Sequence, residues 1–226
     1  MLTQTLKTSI VLTALASCFS VSAGAADEPF EGRRVVPILE EPRHRTVYKD
    51  GDVYLLDVQI NPGDMTLPHT HNAAILYTFI SNGEGPLNGR VSGNTDYVEN
   101  NFTHEVKNEG PGLFRIIALT NYGPGVDLEV DDLPKDVESE IAEENPWFRS
   151  YRLTLEAGEE TTVQTFANPN VIVQVTEGLI HVTRPDGVTS ELTEMGHWAW
   201  RKEHVPYSVI NLSDKAVEVV INEARR

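Results

Sequence analysis

The sequence predicts an all-β protein, a sandwich or barrel built from many short strands. Three observations point there. Short runs rich in Val, Ile, Leu, Tyr and Thr occupy 52–60, 74–81, 113–120, 151–156, 171–176, 179–183 and 216–221. Tight-turn dipeptides punctuate them: Pro62-Gly63, Asn82-Gly83, Asn88-Gly89 and Asp186-Gly187. The glycines recur in the same order in both halves of the chain. At 226 residues the chain has room for one large β domain or two small ones. It can bury a core without disulfides or a structural metal.

In chain order, residues 1–25 come first and read as a secretory signal peptide. Lys7 precedes the apolar stretch from Thr8 to Ala16, and Ala23-Gly24-Ala25 forms an A-x-A cleavage site. The apolar run is short for a transmembrane helix, and no later stretch is long and apolar enough to span a bilayer. The expected location is the periplasm or the exterior of a bacterial cell. Cys18 is the only cysteine. Leu15-Ala16-Ser17-Cys18 also resembles a lipobox, so a lipid anchor at Cys18 is the alternative to cleavage at Ala25. With cleavage, the mature chain has no thiol for a disulfide, a metal or a nucleophile.

The formal net charge of −16 argues against nucleic acid and anionic membrane as partners, since both need basic patches. Much of that charge lies at 125–145, where nine acidic residues face Lys135 alone. This stretch reads as a solvated acidic linker, 123–146, with room for one short helix. It lacks the ligand spacing of an EF-hand calcium loop.

The two flanking segments, 35–122 and 147–223, read as copies of one β unit. Gly63 lies six residues before His69, and Gly83 twelve after His71; Gly158 stands six before Gln164, and Gly178 twelve after Phe166. The offset is 95 throughout. Gly93, His104 and Asn108 correspond to Gly196, Tyr207 and Asn211 at an offset of 103. The eight additional residues of the second copy fall between Gly178 and Gly196, where a longer hairpin fits.

These spacings resemble the two motifs of the cupin superfamily. The resemblance covers most of the mature chain and implies two double-stranded β-helix barrels in one polypeptide, a bicupin. Leu76 stands where the family's glutamate is expected, with Ile75 in the alternative register. Glu99 and Asn101 replace the usual Pro-x-Gly, a mild change at 101 because Asn tolerates positive φ. In the second copy Gln164, Phe166, Val171 and Tyr207 replace every ligand, so that barrel is expected to keep its frame without a metal site.

The candidate metal ligands are His69, His71 and His104. Residues i and i+2 of a strand share a face, so His69 and His71 project together. The fold implied by the resemblance brings His104 beside them. A His-Thr-His alone could equally be polar filler at a turn. His44, His181, His197 and His204 lack partners at motif spacing and read as exposed or hydrogen-bonded residues. Three imidazoles suit a transition metal and leave coordination positions open, as a catalytic site requires. The expected ion is divalent, with Fe(II) favoured and Zn, Mn, Ni or Cu as alternatives. The resemblance implies a dioxygenase acting on a small organic acid or phenolic substrate, with an isomerase or lyase close behind. A non-catalytic module binding a small ligand, such as a sugar acid, is the rival reading. A homodimer is a fold-level analogy only. Three further expectations concern packing. If 76 faces inward, Thr78 and Ile80 do too, and Tyr77 and Phe79 face a contact. Arg115 needs an anionic partner, a substrate carboxylate or a structural acid such as Glu105. Trp198, Trp200 and Phe166 read as core or as a seam between barrels, with sugar stacking as the alternative.

Overall fold

The structure is a computed structural model that describes residues 30–137 and 139–226. The segment read as a signal peptide and Cys18 lie outside the described residues. Gly32–Arg226 form one compact unit.

Its first half contains β1 (Val36–Pro37), β2 (His44–Asp50), β3 (Val53–Ile60), β4 (His69–His71), β5 (Ala74–Asn82), β6 (Pro86–Asn94), β7 (Phe102–His104) and β8 (Phe114–Asn121). Its second half contains β9 (Ile141–Glu144), β10 (Phe148–Leu155), β11 (Asn170–Gln174), β12 (Ile180–Thr183), β13 (Thr189–Leu192), β14 (Trp198–Arg201), β15 (Ser208–Asn211) and β16 (Val217–Ala224). Each half folds a five-stranded sheet over a three-stranded one. The large sheets run β2-β3-β8-β5-β6 and β9-β10-β16-β11-β14, the same order strand for strand. The small sheets are β1-β4-β7 and β13-β12-β15. Antiparallel pairing dominates; the β1–β4 pair is parallel.

The repeat is visible in hydrogen bonds. The Gly63 amide donates to the Asn108 carbonyl at 2.9 Å, and the Gly158 amide to that of Asn211 at 3.0 Å. The Asn108 side chain donates to Ile60 and Gly112 carbonyls, each at 2.8 Å. The Asn211 side chain donates to Leu155 at 2.9 Å and Lys215 at 2.7 Å. In both halves the asparagine therefore ties the end of a strand to a turn four residues on. The additional residues of the second copy form the β12–β13 hairpin, turning at Asp186-Gly187.

The large sheets bury both faces. One face of each covers its own barrel: Leu56, Val58, Ile75, Ile116 and Ala118 in the first, Ile172, Val217, Val219 and Ile221 in the second. The other faces meet in a shared core of Val53, Leu55, Leu76, Ile117 and Leu119 against Phe148, Val171, Val173 and Val220. Trp198 and Trp200 belong to this seam, with Trp200 4.9 Å from the Tyr48 ring. Phe166 lies inside the second barrel.

The acidic stretch, expected as a solvated linker with room for one short helix, is partly built into the second sheet. Its described residues contain no helix, and β9 extends the second large sheet. Asp132 is buried and accepts hydrogen bonds from Arg149 at 2.8 Å, Arg225 at 2.9 Å and Asn168 at 2.9 Å. Composition predicted solvation because most of the acids do face water. One acid with two arginine partners fixes the path of the segment, and one of them, Arg225, lies 93 residues away in sequence.

Candidate metal centre

The short strand β4 places His69 and His71 on one face, and β7 runs antiparallel beside it with His104 directly opposite His69. On the other side β1 pairs with β4, setting Val36 against His69. The three histidines offer ligand nitrogens that all lie within 4.8 Å of one another. His69 and His71 are buried, whereas His104 keeps some exposure.

The hydrogen bonds define which nitrogens are free. His69 Nδ1 donates to the Leu67 carbonyl at 2.9 Å, which leaves the lone pair on Nε2. That Nε2 is buried and has no partner. His71 Nε2 and His104 Nε2 stand 3.0 Å apart, within hydrogen-bond distance of each other. Two nitrogens bound at right angles to one ion at ~2.1 Å are separated by ~3.0 Å, so the pair fits a shared cation. Burial, then the neighbouring imidazoles, lower His71 to about 2 and His104 to about 3. Burial, then the neighbouring His44 imidazole, lowers His69 to about 4. All three are therefore neutral at pH 7, the form that ligates a metal. The donor set, the orphaned nitrogen and the spacing fit a transition metal.

One register expectation is corrected. Ile75, not Leu76, faces the histidine side of the sheet, while Leu76, Thr78 and Ile80 face the second barrel. Tyr77 and Phe79 accordingly point toward the histidines rather than away from them. The alternative register, Ile75, thus holds the histidine-facing position of β5, and it carries no carboxylate. Asn101 needs no left-handed backbone; the described non-glycine residues with positive φ are Asn88, Asp136 and His204.

An aromatic wall surrounds the centre. Tyr97 lies 5.0 Å from the His71 ring and stacks on Phe102 at 5.3 Å with an interplanar angle of 3°. Phe102 in turn is 5.0 Å from His104. Burial raises the phenols of Tyr77 and Tyr97, which also interact with each other. Tyr54 and Phe114 pack, half-buried, against the apolar cluster on the same side of the sheet.

His44 is the residue that sequence reasoning missed. It is buried, and its ring centroid lies 4.3 Å from that of His69. Its Nδ1 donates to Glu41 Oε2 at 2.7 Å. Burial pushes the Glu41 carboxyl up, but hydrogen bonds from His44 and the Leu67 amide outweigh it and hold the acid near about 2. No motif spacing links Glu41 or His44 to the other histidines, so no sequence signal marks them. Arg115 is paired with Asp57 at 3.0 Å and with the Met195 and Gly196 carbonyls, on the seam between barrels. Glu105, the acid suggested for it, bonds Arg33 instead.

In the second barrel, Gln164 bridges to Tyr207 as His69 pairs with His104. Phe166 stacks on Tyr207 at 5.9 Å. Asn170, in the place of Ile75, accepts the Tyr207 hydroxyl at 2.8 Å, while Val171 belongs to the seam. His181 and His197 pair with Glu191 and Glu194 toward solvent. Among the described residues, only the first barrel gathers a metal-binding set.

No protein-family model and no curated protein matches the sequence. Solved structures do. AerE from Microcystis aeruginosa superposes with a TM-score of 0.59 at 11% identity, over 79% of this chain and 90% of that one. A cupin 2 conserved barrel domain protein from Leptotrichia buccalis reaches 0.50 at 11% identity, over 80% and 88%. Salicylate 1,2-dioxygenase from Pseudoaminobacter salicylatoxidans, solved as a mutant with gentisate, reaches 0.50 at 12% identity, over 76% and 69%. Identities this low speak for the fold and nothing finer. With two like-ordered barrels and these structural neighbours, the chain has a two-barrel cupin fold.

Proposed function

We propose that this chain binds one divalent transition metal through His69, His71 and His104 and acts as a metal-dependent dioxygenase on a small phenolic or organic-acid substrate. The observation that carries the reading is the convergence of three neutral imidazoles, one with a buried, unpartnered nitrogen. Fe(II) is the favoured ion, because imidazole suits it and dioxygen chemistry needs a redox metal. When bound, such an ion supplies Lewis acidity toward an acidic oxygen and a one-electron couple toward dioxygen.

The chain's own residues do the rest. Three uncharged ligands leave the ion's charge undiminished by its own donors, which favours an anionic or readily ionised substrate oxygen. Leu67 holds the His69 ring in the ligating tautomer. The Tyr97–Phe102 stack offers a flat apolar face beside His71 and His104, suited to an aromatic ring. Ile75 and Ile116 keep that side of the sheet apolar and so exclude water. Export through the N-terminal segment is part of the same proposal.

Metal analysis of untagged protein reconstituted with Fe(II), Mn(II), Ni(II), Cu(II) or Zn(II) tests the reading. We expect close to one equivalent, lost in His71→Ala and His104→Ala. Retention below about 0.1 equivalent for every ion refutes it. Oxygen uptake with catechols, hydroxy acids and diketones then separates turnover from a second reading, a binding module. That alternative draws support from Ile75, which replaces the carboxylate with an apolar side chain.

A further inference from the structure

We propose that Glu41 is the charge-compensating carboxylate of the metal centre, acting through His44 and the Leu67 peptide rather than as a ligand from β5. The inference rests on the metal-binding reading above. It begins from a mismatch of charge. A divalent ion held by three neutral imidazoles would place two positive charges in a largely buried site, and burying net charge is costly without a counter-charge nearby. The strand position that would supply one carries Ile75.

Glu41 is a buried acid on the histidine side of the sheet. The other buried acid of this half, Asp57, is engaged by Arg45 and Arg115. The Glu41 side chain is fully shielded from water. One oxygen, Oε2, accepts the Arg43 amide at 2.7 Å, the His44 amide at 3.0 Å and the His44 ring at 2.7 Å. The other, Oε1, accepts the Leu67 amide at 3.1 Å. Its one guanidinium neighbour, Arg43, stands 3.6 Å away and is partly exposed. Arg43 is committed to Asp64 by two hydrogen bonds, at 2.9 and 2.5 Å.

Both routes from Glu41 end on the same ligand. The Leu67 peptide donates its N–H to Glu41 and accepts His69 Nδ1–H on its carbonyl. The His44 ring bonds Glu41 on one side and packs on the His69 ring at 4.3 Å. A carboxylate behind a ligating imidazole orients the ring and raises its donor strength. Here one acid reaches His69 twice through a single intermediary each time. The segment between β1 and β2 thereby supplies what β5 lacks.

The rival account makes Glu41 only a cap for the turn that leads into β2. Affinity for Zn(II) and Co(II), measured by competition titration, and the metal-free melting temperature separate the two. Glu41→Gln preserves size and most acceptor geometry but removes the charge. We expect it to weaken metal binding ~10–100-fold with little change in the metal-free melting temperature. Glu41→Asp keeps the charge and should lose less affinity than Gln. Equal affinity of Glu41→Gln and native protein, or equal loss in Gln and Asp variants, overturns the inference.

Ile75→Glu closes the cycle. In the native background, where Glu41 already compensates, we expect a gain below ~3-fold; in Glu41→Gln it should recover at least ~10-fold. If Glu41→Gln does not fold, a gain above ~10-fold from Ile75→Glu alone counts against Glu41. Failure of the native protein to bind any metal instead refutes the reading on which this inference depends.

Discussion

Gly83 shows why the glycine spacing was readable. Its φ is +86°, and a Cβ placed there would lie 2.2 Å from Asn108 Oδ1. That asparagine is the one whose side chain ties Ile60 to Gly112. Two motif residues 25 apart in sequence therefore form one packed unit. Gly63 has a similar φ of +76° but open space around its Cβ position. The comparison yields a graded prediction. Gly63→Ala carries only backbone strain, about 1–2 kcal/mol. Gly83→Ala adds overpacking and should cost about 2–5 kcal/mol. Urea denaturation of both variants checks this, and equal losses would contradict the packing argument. Glu41 and His44 are the opposite case. Their roles depend on who touches whom across the barrel, and contact leaves no period in a sequence.

At the scale of the element, β5 explains the one-residue error in register. Alternation identifies the buried face of a strand when the other face is wet. Here 74–80 reads Ala-Ile-Leu-Tyr-Thr-Phe-Ile, apolar in both phases, because the first barrel covers one face and the second barrel the other. The strand was legible and its orientation was not. β16 illustrates a further element-scale effect, through Glu223 on its barrel-facing side. Burial raises this carboxyl to about 7, against the pull of Asn168 and Arg149. Between about pH 4.5 and 7 the folded chain then holds a proton that the unfolded chain has lost, so this group's contribution to stability falls as pH rises. The slope is at most about 1.4 kcal/mol per pH unit. In metal-free protein His69, His71 and His104 act with the opposite sign. Their lowered values mean that the unfolded chain binds more protons below pH 6.5, so their contribution rises with pH up to that point. The difference between native protein and Glu223→Gln isolates the acid. Melting temperatures across pH 4.5–7 should show Glu223→Gln gaining on the native protein as pH rises. A constant difference would show that Glu223 does not titrate in this window.

At the scale of the molecule, the seam between barrels joins the two halves in one compact unit. Thr78 accepts the Asn222 amide at 2.7 Å, and Asn222 accepts the Ser150 hydroxyl at 2.7 Å, a polar relay inside an apolar interface. Arg152 of β10 reaches the Asn88 and Gly89 carbonyls of the first barrel, and Arg115 of β8 reaches those of Met195 and Gly196 in the second. Either barrel alone would expose a face that now holds Leu55, Leu76 and Leu119, or Val171, Val173 and Val220. Faces of that kind uncovered in water favour association over a stable monomer. The second barrel, although it lacks ligands, is therefore needed to cover the back of the sheet that carries the lining of the centre. This coupling has a measurable form. All three tryptophans, Trp147, Trp198 and Trp200, lie in the second half, whereas the proposed ligands lie in the first. A metal present at 100 times its dissociation constant stabilises the folded state by about 2.7 kcal/mol. If unfolding is one event, that gain must shift the urea midpoint seen by tryptophan fluorescence as far as the midpoint seen by far-UV circular dichroism. Independent barrels would instead leave the tryptophan midpoint where it was and split the dichroism curve in two. Leu119→Asp, which puts a charge into the seam, should move the metal-free protein toward that uncoupled behaviour while leaving the three histidines in place.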